Sequence, residues 1–198
     1  MEAKKGSMTP ISQDEAQLIK CILDGRKELF RQLVVRYADR VFRMVVRLIP
    51  SHEDAEEIVQ DILLAAFQNL SRYDAQQASF STWLSAITYR TTMKHIRRQQ
   101  TVCFVETDRA WLESIPDNET DLLLNDTSHE RLLQLDHAVE QLKTDDQMLL
   151  SLYYYDDYSI RDISYITGRD EGYLRSRLQW IRKRMALTIK TFEKHEKE

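Results

Sequence analysis

Arg175, Arg177, Arg182, Lys183, Arg184 and Lys190 crowd one C-terminal stretch, interleaved with Glu171, Tyr173, Ser176 and Gln179. An arginine fork pairs through two donors with guanine and a glutamate accepts from cytosine, so this stretch holds the chemistry that base readout in a major groove uses. Arg169, Glu171, Gly172, Tyr173, Arg175, Ser176 and Gln179 are the candidates for base edges, whereas Arg177, Arg182, Lys183 and Arg184 are better placed to meet phosphates. A second constellation combines Tyr73, Trp83 and Tyr89 with Arg90, Lys94, Arg97 and Arg98. Rings stack on unpaired bases while cations meet the backbone, which is how single strands are held. Trp83 also fits a buried apolar stripe, so a core role stands beside the nucleic-acid role. A third group, Glu53, Glu56, Glu57, Gln60 and Asp61, is unsuited to DNA and suited to a basic protein surface.

Bond-making chemistry has little support. Glu57 and Asp61 are four residues apart, but no histidine joins them to complete a common metal set, and the five histidines are dispersed. No phosphate-cradling glycine loop, HExxH or glycine-flanked nucleophile occurs. The chain is therefore expected to be no enzyme and to need no cofactor or metal.

These groups have to be positioned, and the surrounding pattern is helical. Only 4 Gly and 3 Pro punctuate the 198 residues, and Leu, Arg, Glu, Gln and Ala dominate long stretches. Residues 1–24 read as a polar arm running into a short apolar stretch and the start of the first helix. Apolar residues recur at three and four from Leu29 to Val46, predicting a helix over about 27–49 that Pro50 stops. Ser51 and Asp54 make a capping box for a second helix, which buries Ala55, Ile58, Val59, Ile62, Leu63, Ala66, Phe67 and Leu70. After a polar loop over 71–79, a third helix runs from Phe80 to Arg98, with Phe80, Trp83, Leu84, Ile87 and Thr91 inward and Ser85, Tyr89, Lys94, Arg97 and Arg98 outward.

Residues 101–129 read as a flexible acidic linker, within which the Leu122 to Leu124 triplet could dock transiently. From Cys103 to Gln147 there are twelve acidic and three basic residues. A second helical unit then takes its apolar stripes from Leu132, Leu133, Leu135, Ala138, Val139 and Leu142, and from Met148, Leu149, Leu152 and Tyr153. Ser159 with Asp162 opens a short helix carrying Ile160, Ile163 and Ile166. Gly168 supplies a permissive turn, Arg169 or Asp170 begins the next helix, and Leu174, Leu178, Ile181 and Met185 follow at four, three and four. Two short helices joined by a glycine turn are a helix-turn-helix. The expected fold is all-α, with two small helical domains over 25–100 and 130–192, the linker between them, and a polar tail over 193–198.

The formal net charge of −4 excludes a generally basic nucleic-acid coat and leaves room for local basic faces. Cys21 and Cys103 match neither a redox pair nor a zinc knuckle, which favours reduced thiols. No apolar run approaches the roughly 18 residues of a spanning helix, and no signal-like segment opens the chain, so a cytoplasmic protein is expected.

The segment HEDAEEIVQDILLAAFQNLSRYD, followed by FSTWLSAITYRTTMKHIRRQ, resembles region 2 of the extracytoplasmic-function group of bacterial sigma-70 family factors. YSIRDISYITGRDEGYLRSRLQWIRKRM resembles region 4 of the same family, and the acidic stretch lies where that group has a variable linker. The resemblance implies a promoter-specificity subunit that joins core RNA polymerase and assists promoter opening. It implies that Asp54, Glu57, Gln60 and Asp61 bind the clamp helices of the largest polymerase subunit. The loop from Asn69 to Gln77, with Tyr73 and Asp74, would capture a flipped base of the −10 element. Trp83, Tyr89, Arg90, Lys94, Arg97 and Arg98 would contact that element and its upstream edge. Arg175, Ser176 and Arg177 would lie in the helix that reads the −35 element, flanked by Arg169, Glu171, Tyr173, Gln179, Arg182 and Lys183. Implied partners are core polymerase, promoter DNA and a cognate anti-sigma protein, without membrane insertion. Tyr173, Trp180 and Ile181 depart from that family's usual pattern, where Thr, Arg and Ala are frequent.

Two other functions fit parts of the pattern. A polymerase-independent helix-turn-helix regulator would explain the C-terminal motif but leave the acidic helix and the aromatic, basic helix unassigned. A helical adaptor or antagonist would bind polymerase without reading DNA, and neutralising Arg175 and Arg177 would then leave its function untouched.

Overall fold

In the computed structural model, residues 13–99, 120, 124 and 129–195 are described. In chain order the helices are α1 (Gln13–Leu23), α2 (Phe30–Val46), α3 (His52–Asn69), α4 (Phe80–Gln99), α5 (His129–Glu140), α6 (Thr144–Leu150), α7 (Ile160–Thr167) and α8 (Glu171–His195). Short 3-10 turns at Lys27–Leu29 and Leu70–Arg72 and a π turn at Ser151–Tyr155 complete the described elements. The architecture is all-α, as the composition implies.

Contacts divide the chain into two compact units, one from residues 1–101 with 151–169 and the other from 102–150 with 170–198. The first therefore gathers α1 to α4, the π turn and α7, and the second gathers α5, α6 and α8. The acidic linker, the Leu122 to Leu124 triplet, Cys103 and the last residues of the tail lie largely or wholly outside the described residues.

In the first unit the apolar stripes of α2 and α3 meet those of α4. Leu33, Met44, Ile62, Leu70 and Phe80 are fully buried, and Phe80 sits 5.3 to 5.5 Å from the rings of Tyr37, Tyr73 and Trp83. The stretch read as an arm and the start of a helix is helical from Gln13, with Ile19, Cys21 and Ile22 buried. Buried Glu15 anchors this helix by accepting from the Tyr37 hydroxyl at 2.5 Å and from Arg36 at 3.2 Å. Cys21 is free and buried, with the Arg26 guanidinium donating to its Sγ. At the start of α3, the Ser51 hydroxyl accepts from the Asp54 N–H at 3.2 Å, fulfilling half of the expected capping box.

The second unit closes on Leu174, Leu178, Ile181 and Ile189 of α8, which bury with Ala138, Leu142 and Met148. The Gln147 amide donates to the Val139 and Leu142 carbonyls at 3.0 and 3.1 Å, satisfying the open end of α5. Leu132 and Leu133 were expected on the buried stripe but are 48% and 58% exposed. They stand at the start of α5, a turn and more before Ala138, where burial begins.

The helix-turn-helix elements occur in the expected order. Ser159 caps α7 by accepting from the Asp162 N–H at 3.1 Å, and its own hydroxyl donates to the Asp162 carboxylate at 2.5 Å. Gly168 ends α7 in the left-handed conformation at φ 70°, with its N–H on the Ser164 carbonyl at 2.8 Å. Asp170 then caps α8, its carboxylate accepting from the Gly172 and Tyr173 N–H groups at 2.8 and 3.1 Å.

The expectation of a cytoplasmic protein is corrected to a narrower statement. No helix among the described residues is long and apolar enough to cross a membrane.

Candidate nucleic-acid interface

The polymerase-facing candidates sit on α3. Because Ala55, Ile58, Ile62 and Ala66 turn inward, Glu57, Gln60 and Asp61 share the exposed face, with Asp54 half-buried one turn earlier. Leu64, 54% exposed, extends this row by one more turn. The sequence reading missed it, although its position three and four residues after Asp61 and Gln60 is the signal that places it there. Glu56 leans toward His52 at 3.5 Å on the solvent side. Among the described residues no group of three or more His, Cys, Asp or Glu could hold a metal ion.

The loop after α3 is ordered by its own polar groups. The Asp74 carboxylate accepts from the Gln76 N–H at 2.9 Å and from the Gln77 amide at 3.0 Å, and Asn69 donates to the Ala65 carbonyl at 2.8 Å. Tyr73 tucks inward, with ring centroids 5.5 Å from Phe80 and 5.6 Å from Trp83. Its hydroxyl is buried with no hydrogen-bond partner, and burial pushes its pKa up to about 12, the Glu15 charge adding to the effect.

Trp83 belongs to the core. It is 7% exposed and packs on Phe80 and Tyr73, so it shapes the loop from beneath. The cationic set emerges further along α4, where Arg90, Lys94, Arg97 and Arg98 are exposed and Tyr89 is half-buried. These residues line a groove of about 600 Å³ whose other wall is Thr167, Gly168 and Arg169. Ser85, expected to face outward, is buried instead because Tyr158 covers it, its hydroxyl 2.6 Å from that of Ser85.

On α8 the capped N-terminus presents Tyr173, Arg175, Ser176 and Gln179 to solvent. Glu171 lies one turn before Arg175 and holds its guanidinium at 3.0 Å. Arg182 and Lys183 are half-buried one to two turns later. Arg177 has a different setting. It grips the buried Asp146 carboxylate through two bonds of 2.7 and 2.8 Å and lies 4.0 Å above the Trp180 ring. The Trp180 departure is thus the platform of an internal ion pair.

Residues 33–102 match the family described as sigma-70 region 2, and residues 132–185 match sigma-70 region 4. The chain is similar to the ECF RNA polymerase sigma factor SigW of Bacillus subtilis, with 25% identity over 173 residues covering 81% of this chain and 88% of that one. It is 25% identical over 177 residues to the RNA polymerase sigma-H factor of Pseudomonas aeruginosa, covering 84% and 89% of the two chains. With the ECF RNA polymerase sigma-E factor of Escherichia coli it shares 27% identity over 171 residues, covering 81% and 86%. Among solved structures the fold is similar to CnrH in its complex with the cytosolic domain of CnrY, at TM-score 0.61 and 18% identity over 88% of this chain and 96% of that one. It is also similar to the sigma factor RpoE of Bartonella quintana in complex with the anti-sigma factor NepR, at TM-score 0.57 and 20% identity over 81% and 96%.

Proposed function

The chain belongs to the extracytoplasmic-function group (group 4) of the sigma-70 family, and we propose how its surfaces divide the promoter recognition and opening that such a factor performs. A sigma factor makes no bond itself, so each surface acts by differential binding. The exposed row Asp54, Glu57, Gln60 and Asp61 of α3 takes core RNA polymerase. Carboxylates and an amide on one helix face complement a basic protein surface, and Leu64 adds apolar contact beside them.

The −10 element falls to the loop carrying Asn69, Tyr73 and Asp74 and to the exposed end of α4. Capturing a base from the stack costs a few kcal/mol, which a preformed pocket offsets. Tyr73 and Trp83 act by holding the loop in shape, while Tyr89, Arg90, Lys94, Arg97 and Arg98 meet the strand. The −35 element falls to α8 with Arg169 at the turn: Glu171, Tyr173, Arg175, Ser176 and Gln179 face base edges, and Arg182 and Lys183 face phosphates. Arg177 keeps α6 and α8 together, so its effect on readout is indirect.

In sequence the two functional domains span 25–100 and 130–192 with a linker between them, a division supported by the two family matches, whereas the contacts group α7 with α1 to α4. The partners are core polymerase and promoter DNA, together with an anti-sigma protein. The last is supported by the two solved relatives, one described with an anti-sigma factor and the other with the cytosolic domain of CnrY.

The observation that carries this assignment is the acidic row on α3, which neither a free-standing regulator nor a DNA-silent adaptor needs alongside the base-reading set of α8. Titrating labelled chain with bacterial core polymerase tests it. Asp61→Arg is expected to weaken core binding by at least about tenfold, one 1.4 kcal/mol step, with an unchanged thermal midpoint. Equal affinity for Asp61→Arg and the unmutated chain would remove the α3 assignment.

A further inference from the structure

Two acids stand at the start of α8, and the fold uses them differently. Asp170 serves the helix end, its carboxylate accepting from the Gly172 and Tyr173 N–H groups at 2.8 and 3.1 Å. Gly172 leaves room for this cap, since a Cβ there would stand 3.0 Å from the Asp170 Oδ1. Glu171 instead reaches one turn along the helix. Its carboxylate accepts from the Arg175 guanidinium at 3.0 Å, and the two side chains are 43% and 64% exposed. Arg177, the next cation, turns away to the buried Asp146. Each arginine in the first two turns of α8 therefore has a carboxylate partner, and of the two pairs only Glu171 with Arg175 lies open to solvent.

A pair of this spacing steadies any helix surface slightly. This one stands on the N-terminal turns of the second helix of a helix-turn-helix, the part that meets base edges. There its chemistry is selective. An unpaired arginine takes any phosphate and gains from the counterions released. Arg175 held by Glu171 brings no net charge, and a phosphate on Arg175 would lie beside a carboxylate of the same sign. Base edges can satisfy both members at once. Guanine offers its O6 and N7 acceptors to the guanidinium, and cytosine offers its N4 amino donor to the carboxylate. Adenine sets the N7 acceptor beside its amino group, and thymine presents no donor. Residues three to four apart on a helix in the major groove meet successive bases, so Glu171 and Arg175 address neighbours.

We infer that Glu171 and Arg175 form one coupled reader that selects a cytosine next to a guanine, with Glu171 setting specificity at the cytosine and keeping Arg175 from phosphates elsewhere. The inference rests on the functional division above, in which α8 reads the −35 element. Specificity here is gained at the expense of raw affinity.

The test offers a pool of promoter duplexes, randomised across the −35 element, to bacterial core polymerase loaded with the full chain and to the full chain alone, and sequences what each retains. The loaded, unmutated chain is expected to retain a cytosine next to a guanine. Glu171→Gln should lower the cytosine preference at least about fivefold and raise retention of scrambled duplex. It should also steepen the fall of log affinity with log salt by about 0.9, one more phosphate met. Arg175→Ala should lose the guanine preference, and the double variant should lose less than the sum of the two single losses. Base preferences that Glu171→Gln leaves unchanged, with only the melting temperature lowered, overturn the reader and leave a helix-surface pair. Additive losses overturn the coupling. Polymerase-dependent retention without cytosine and guanine selection sinks the reader and keeps the sigma assignment. The same selection by the chain alone, with nothing gained from polymerase, keeps the reader and sinks that assignment.

Discussion

Arg175 and Arg177 stand two residues apart in one basic run, yet the fold gives them opposite work. Arg175 is exposed and aligned by Glu171, whereas Arg177 neutralises a carboxylate that is 4% exposed. Arg175→Ala should therefore weaken specific −35 binding by roughly 1–3 kcal/mol and leave the melting temperature unchanged. Arg177→Ala should strand Asp146 and destabilise the chain by about 2–3 kcal/mol, below the full value for a buried pair because the arginine is partly exposed. Calorimetry beside promoter binding separates the two, and a stable Arg177→Ala chain would refute the pairing. The basic run was legible in the sequence. Arg177's partner was not, because Asp146 lies 31 positions away in a stretch whose acidity looked like solvated surface. Tyr73 gives a pH test. Its phenol holds its proton more tightly in the fold, so its stabilising effect is complete below about pH 10 and is lost as the pH rises toward about 12. Tyr37, Tyr158 and Tyr165 are raised by burial in the same direction. Tyr73→Phe should flatten part of the alkaline fall in melting temperature and, with the hydroxyl unpartnered, should cost nothing at neutral pH.

At the level of elements, the caps were the most readable features. Ser51, Ser159, Gly168 and Asp170 act locally, so their chemistry is complete within three or four residues of sequence. Gly168→Ala meets open space but keeps a left-handed φ of 70°, so the strain alone should cost about 1–2 kcal/mol. A thermal melt of that variant with no loss would mean that the turn relaxes. Faces covered by distant segments were unreadable for the opposite reason. Ser85 follows the pattern of a solvated position, and only Tyr158, 73 residues on, buries it. Trp83 could be assigned to DNA or core until Phe80 and Tyr73 were seen against it. Leu132 and Leu133 keep a helical period that no neighbour among the described residues uses. The burial of Glu15 within residues 13–23 was unreadable, since it depends on Tyr37 and Arg36, more than twenty positions on.

For the whole molecule, the ordered pair of regions 2 and 4 establishes the family, and the all-α fold agrees with it. The charge of a chain of net −4 is unevenly distributed: cations gather at the end of α4 and on α8, the faces proposed above for DNA, while carboxylates occupy the outer face of α3. Binding to promoters through these patches should weaken with added salt in proportion to the phosphates met. The division of labour among the three surfaces is tested most directly by reconstituted transcription with bacterial core polymerase over a genomic promoter library. The account predicts specific starts that require the chain, disappear with Asp61→Arg and weaken with Arg175→Ala. Starts that survive Asp61→Arg and Arg175→Ala alike, or no chain-dependent starts from a core that is active with a control factor, would contradict it.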